Sequence, residues 1–171
     1  MKKQSLNPSI PQSLNEMAEF SHFDDTGRVR MVDVSDKPAT RRTAKARGFV
    51  RMSAEALAGL PQNPKGDPLE IARIAGIAGA KRTAGLIPLC HPLPLTHIDV
   101  QARVCENGVE LISSVITTAG TGVEMEALTA VAVAALTVYD MCKAVDPSME
   151  ISSLVLVEKT GGRHGAYRRG T

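Results

Sequence analysis

The sequence has no tryptophan, three phenylalanines and two tyrosines, so aromatic residues make up only 3% of the chain. That excludes base-stacking platforms and interfaces anchored on large aromatic side chains as its main means of recognition. Charge of one sign is equally scarce: 20 Lys+Arg oppose 18 Asp+Glu, leaving a formal net charge of +2. No bulk attraction to nucleic acid or to an anionic membrane is written into the composition, and any anionic partner has to be met locally. The three cysteines, Cys90, Cys105 and Cys142, are odd in number and lack the paired spacing of a zinc site. A reduced, cytoplasmic setting is therefore expected. The longest apolar run, Ala127 to Val138, is too short to span a bilayer, and no apolar stretch follows Lys2 and Lys3, so a soluble, unexported protein is expected.

What is present is a chain of 171 residues, 43% hydrophobic and 22% charged, the size and balance of one domain with an aliphatic, alanine-rich core. Residues 1–22 mix Ser, Asn, Pro and Gln without periodicity and are expected to form a flexible arm. Residues 23–165 are expected to form the domain, and 166–171 a basic tail. Val29–Val34 is short and β-prone, and a strand is expected from Thr40 to Met52, with Arg42, Lys45, Arg47 and Arg51 making one face of it basic. Ser53 can cap a short helix reaching Leu60, and Asp67, followed by Pro68, a longer one reaching Lys81 and Arg82. Leu86–Leu95 carries three prolines and can be neither helix interior nor central strand. Asn107-Gly108 between two alternating segments signals a hairpin. Thr121-Gly122-Val123-Glu124 has the form of a capping box, opening a helix expected to reach Val145, before Pro147 and a last strand from Ile151 to Lys159. From Thr40 the order is strand, helix, strand, strand, helix, strand: the ferredoxin-like, split β-α-β arrangement of an α+β domain, an antiparallel sheet with helices packed on one face.

Several residues invite chemistry. Asp140 and Lys143, three apart, share a helix face; an ordinary surface ion pair is one reading, a general acid/base pair among the apolar residues of VYDMCKAV the other. Glu124 is explained as a capping partner; Glu126 is explained less well. Some 14 residues separate Glu126 from Asp140, about 21 Å at helical rise, so both can serve one small substrate only if the site is long or completed by a second subunit. Lys65, in the Pro- and Gly-framed loop before a helix N-terminus, is either a solvated lysine or an ammonium delivered to a phosphate. His91 stands in the proline-stiffened loop and suits hydrogen bonding or proton transfer better than metal binding. A second basic group, Lys159, Arg163, Arg168 and Arg169, lies among glycines near the end; no P-loop or dinucleotide motif is present. The two basic groups together favour a polyanionic small molecule over nucleic acid.

Five stretches, MVDVSDKPATRRTA at 31–44, KGDPLEIARIAGIAGAKRT at 65–83, LIPLCHPL at 86–93, TGVEMEALTAVAVAALTVYDMCKAV at 121–145 and KTGGRHG at 159–165, closely resemble the cyclic pyranopterin monophosphate synthase (MoaC) family of molybdenum cofactor biosynthesis. The resemblance implies a lyase that rearranges 3′,8-cyclo-7,8-dihydroguanosine 5′-triphosphate to cyclic pyranopterin monophosphate with release of pyrophosphate. It also implies a ferredoxin-like fold and a hexamer, a trimer of dimers, with the pocket between subunits. Carried over by motif, Asp140, Lys143 and Lys65 are the expected catalytic residues, and Leu89, Cys90, His91, Met125, Glu126, Arg42, Asp33 and Lys159 the expected substrate-binding ones. Lys65 and Lys143 then transfer protons, which requires lowered lysine pKa values, while Asp140 orients or deprotonates. No protein metal site is expected; Mg2+ enters only as a companion of the triphosphate. Gly120 stands where some relatives are expected to carry a polar or basic residue, which leaves that phosphate contact unfilled. Two other classes predict different chemistry: a non-catalytic nucleotide-binding oligomeric scaffold binds without releasing pyrophosphate, and a Schiff-base lysine enzyme is trapped by borohydride.

Overall fold

A computed structural model describes residues 27–162 and 165–170. The expected arm at 1–22, together with Arg163, lies outside the described residues. The unit carrying the fold begins at Asp33; the preceding unit, described from Gly27 to Val32, has no strand beyond a single bridge residue at Val29.

β1 (Thr40–Arg51) leads through α1 (Ala54–Gly59) and a 3-10 turn to α2 (Pro68–Lys81) and the four-residue α3 (Thr83–Leu86). Then come β2 (Leu95–Cys105), β3 (Gly108–Ala119), α4 (Glu124–Cys142), β4 (Glu150–Thr160) and the two-residue β5 (Tyr167–Arg168). The sheet order is β2-β3-β1-β4-β5, every pair antiparallel, which is the expected ferredoxin-like α+β topology with one strand added at the edge. The expected hairpin is there, Cys105 pairing with Gly108 across Glu106-Asn107.

Alternation decides which face is covered. Ala44, Ala46 and Val50 of β1 and Val109, Leu111, Val115 and Thr117 of β3 are fully buried on the face that α4 covers, while α2 packs on β2 and α4. The same alternation divides the basic strand. Lys45, Arg47 and Arg51 are exposed on the open face, whereas Arg42 has the parity of the helix-facing set. A single basic face on β1 is therefore not formed. The small residues let elements approach closely: a Cβ on Gly48 would lie 2.6 Å from Val131, and one on Gly76 2.8 Å from the Ala130 carbonyl oxygen. Two buried hydroxyls are satisfied by carbonyls, Ser113 Oγ donating to Ala127 O (2.7 Å) and Thr117 Oγ1 to Pro94 O (2.7 Å).

Three local expectations change. The capping box does not form: the N-cap of α4 is Val123, without a side-chain cap, and Glu124 is turned to Lys159 instead. The helix ends at Cys142 rather than Val145, because Val145 and Asp146 fold back to donate to the Cys142 carbonyl. Part of the expected tail is strand, Glu158 pairing with Arg168 and Lys159 with Tyr167. By length and composition α4 also passes as a membrane-crossing helix, yet ten of its residues are buried in the fold, which makes it a core helix.

Candidate active site

The expected residues gather at the two ends of α4. At its C-terminus Lys143 Nζ lies 2.6 Å from Asp140 Oδ1, one helical turn away, and Lys65 Nζ lies 3.8 Å from Asp140 Oδ2. Lys65 also donates to the Asp140 carbonyl at 3.3 Å. The loop that delivers it is shaped by Asn63, whose Oδ1 accepts from the Lys65 amide (3.0 Å), and by Gly66 at φ +102°, a conformation suited to glycine. All three charged side chains are more than half exposed. The hydrogen bond and charge of Lys143, with a further contribution from Lys65, hold the Asp140 carboxyl below its ordinary range; Asp140 in turn raises the Lys143 ammonium. The expected lowering of the Lys143 pKa is thus reversed in this chain, for the physical reason that its nearest neighbour is a carboxylate and its surroundings are wet.

Around the N-terminus of α4 lies a cleft of about 180 Å³ lined by Lys37, Arg42, Lys159 and the backbones of Gly120–Gly122 and Gly161–Gly162. Arg42 Nε donates to the Ala119 carbonyl at 3.4 Å, and Lys159 Nζ is 2.7 Å from Glu124 Oε1 with both side chains about 30% exposed. Three cations face one carboxylate, so the cleft is locally positive although the chain is nearly neutral. Gly161 and Gly162 have φ +89° and +88°, and a Cβ on Gly161 would meet the Arg41 carbonyl at 2.5 Å, so glycine is what lets this turn close over Arg42.

Asp33 is placed beside the cleft rather than in its lining. Its Oδ1 accepts from Ser35 N (2.9 Å) and Ser35 Oγ (2.7 Å), closing the turn in which Lys37 N donates to Val34 O. Asp33 thereby shapes the segment that brings in Lys37, a residue the sequence analysis passed over. Its signal was there, a lysine next to a turn-forming Pro38 inside the recognised stretch. Gly120 lies over the same turn, where a Cβ would already be 3.3 Å from the Lys37 and Val34 carbonyl oxygens.

The third group sits one turn into α4. Glu126 is 4% exposed, and burial pushes its carboxyl up, its own backbone amide opposing and Glu124 adding to the rise. Cys90, half-buried in the loop before β2, is near enough to feel it: burial and then the charge of Glu126 both raise the thiol. That loop is anchored by Cys90 N donating to Ile87 O and by the Thr117–Pro94 bond. Leu89, His91 and Met125 are half-buried in the same segments. The structure therefore joins Lys65, Asp140 and Lys143, joins Arg42 and Lys159, and joins Cys90 and Glu126, but keeps the first set a helix length from the others. Among the described residues no group of three or more His, Cys, Asp or Glu side chains is arranged to hold a metal ion.

Residues 31–162 match the MoaC family. The chain is 57% identical over 157 residues to the cyclic pyranopterin monophosphate synthase of Thermomicrobium roseum, covering 90% of this chain and 95% of that one. It is 57% identical over 153 residues to cyclic pyranopterin monophosphate synthase 1 of Mycobacterium bovis, covering 88% and 90%, and 56% identical over 155 residues to the synthase of a Roseiflexus species, covering 88% and 98%. A family match spanning both helix ends, with identity at this level along nearly the whole of each relative, establishes that the chain belongs to the MoaC family.

Proposed function

We propose that the chain is a lyase of molybdenum cofactor biosynthesis that converts 3′,8-cyclo-7,8-dihydroguanosine 5′-triphosphate to cyclic pyranopterin monophosphate and pyrophosphate. The observation that carries this reading is the division of labour along α4, an anion cradle at one end and a proton-transfer group at the other. The reaction needs both. A sugar hydroxyl attacks the α-phosphorus, its proton leaves, the bond to the β-phosphate breaks, and pyrophosphate departs with the electron pair. Lys37, Arg42 and Lys159 would bind the phosphates and stabilise the charge gathering on the leaving group. His91 would complete the ribose side. Mg2+, when present, would arrive with the triphosphate.

The ring rearrangement requires protons to be taken and given at several atoms of the base. With its pKa raised by Asp140, Lys143 would be held as an ammonium that stabilises developing negative charge and gives its proton only to a strongly basic atom formed in the rearrangement, while Asp140, kept ionised, would orient it. Lys65 would serve as the second proton-transfer group. Glu126, its carboxyl pushed up by burial, would hydrogen-bond the base alongside Leu89, Cys90 and Met125.

The helix separates the two stations by about 21 Å, so one subunit would supply the cradle and another the Lys65–Asp140–Lys143 end. A hexamer built as a trimer of dimers, with the site at an interface, accommodates that pairing, and a soluble enzyme of the cytoplasm suits the three unpaired thiols. The test is to incubate the purified protein with the 3′,8-cyclised GTP intermediate and assay pyrophosphate together with the oxidised, fluorescent pterin. Both products are expected. Binding without either product would instead make the protein a nucleotide-binding scaffold.

A further inference from the structure

The last turn of any α-helix leaves four carbonyls without intrahelical partners. In α4 the first of them, Tyr139 O, is taken by Lys143 N at 2.8 Å, and the last, Cys142 O, by Val145 N at 2.9 Å and Asp146 N at 3.2 Å. The middle two are taken from outside the helix, both by the loop that carries Lys65. Asp140 O accepts from Lys65 Nζ at 3.3 Å, and Met141 O accepts from Asn63 Nδ2 at 2.8 Å. Asn63 has a second attachment: its Oδ1 accepts from Lys65 N at 3.0 Å, while its own carbonyl accepts from Gly66 N at 3.1 Å. One half-buried carboxamide thus ties the backbone of Lys65 to the end of α4, next to the carbonyl that the lysine's own ammonium holds.

We propose that Asn63 is the positioning residue for Lys65, clamping the Asn63–Gly66 turn to the Met141 carbonyl so that the Lys65 ammonium is held at Asp140. This rests on the reading of Lys65 as a proton-transfer group. A lysine side chain has four flexible methylenes, and an exposed ion pair does little to order it. Fixing its Cα is what the loop contributes, and the amide suits this because it donates and accepts at once. Aspartate keeps the acceptor and the shape but cannot donate to Met141, and it places negative charge at the negative end of the helix. Alanine loses both bonds.

The test measures steady-state turnover of Asn63→Ala and Asn63→Asp on the 3′,8-cyclised GTP intermediate, with thermal unfolding and a carbon-13 carboxyl titration of Asp140. Both variants should lower kcat by about 10- to 100-fold, as misplacement of a reacting group does, with KM within about twofold of wild type. The Asp140 titration should move upward as Lys65 withdraws, Lys143 remaining in place, and the unfolding midpoint should stay put. Wild-type turnover in Asn63→Asp overturns the proposal. So does a fall in kcat that leaves the Asp140 titration where it was, which is what a merely structural loss of active enzyme would give. Lys65→Met separates the two readings: full turnover in that variant defeats the role of Lys65, whereas an inactive Lys65→Met beside a fully active Asn63→Ala defeats only the role of Asn63.

Discussion

The two ends of α4 are built to different standards of order. Around the N-terminus, β1, β4 and the glycine turn deliver Arg42, Lys159 and their neighbours into a half-buried cleft, and Glu126 is almost fully enclosed. At the C-terminus, Lys65, Asp140 and Lys143 stand more than half exposed on one helical turn and a loop. A sheet fixes backbone positions across several strands, so the cradle is assembled within one chain. The exposed end rests on one helical turn and on a loop tied to it through Asn63 and Met141, and the charges beside Asp140 and Lys143 set the directions of their pKa shifts. One chain thus presents a preformed cationic cleft at one end of α4 and an exposed cluster of ion pairs at the other.

The comparison is broken most forcefully at the exposed end. Asp140→Asn and Lys143→Ala should each lower kcat by about a thousandfold, within the range of a lost proton-transfer group, while the unfolding midpoint stays near wild type because neither side chain is packed. A parallel fall in the midpoint would show that this end is structural. At the cradle the expected effect is smaller and falls on binding. Arg42→Ala should raise KM by about 10- to 100-fold, the worth of a charge-assisted hydrogen bond of about 1.5–3 kcal/mol, with kcat less affected. Gly162→Ala should repeat that change in weaker form, because a Cβ at φ +88° collides with the Arg42 guanidinium. A KM unchanged in both would remove the triphosphate from this cleft.

The smallest effect is on stability and concerns Glu126. Its folded pKa lies above the ordinary glutamate value, so the folded state holds a proton that the unfolded chain has released. Stability contributed at low pH is therefore lost as pH rises through the interval between the two values. Glu126→Gln should flatten that decline, measured as the unfolding midpoint against pH, and a slope identical to wild type would show that the carboxyl is not held protonated.

How legible this was depended on the range of the interactions. The hairpin at Asn107-Gly108, the cap at Asp67 and the alternation of β3 are local and were readable from spacing alone, and from them the split β-α-β order follows. Lys143 with Asp140 was readable for the same reason, one helical turn. The capping box failed because Glu124 had a better partner 35 residues away, Lys159, which no local pattern shows. The division of the basic strand needed the burial of Ala44 and Ala46 to say which parity faces the helices. Lys37, beside Pro38, is legible locally only as a turn residue; its place in the cleft and the direction of the Lys143 shift depend on exposure and on neighbours brought in by the fold.

The central claim is that each chain carries two half-sites that meet only between subunits. The direct measurement mixes Arg42→Ala with Lys65→Ala under conditions that exchange subunits, and assays pyrophosphate release from the 3′,8-cyclised GTP intermediate at a concentration well below the wild-type KM, where the raised KM of Arg42→Ala leaves that variant nearly silent on its own. Recovered turnover, approaching about a quarter of wild type as random pairing at a shared interface gives, is the expected result, since some sites then combine an intact cradle with an intact acid/base end. No recovery after exchange would place both half-sites of each working centre on one chain and contradict the account.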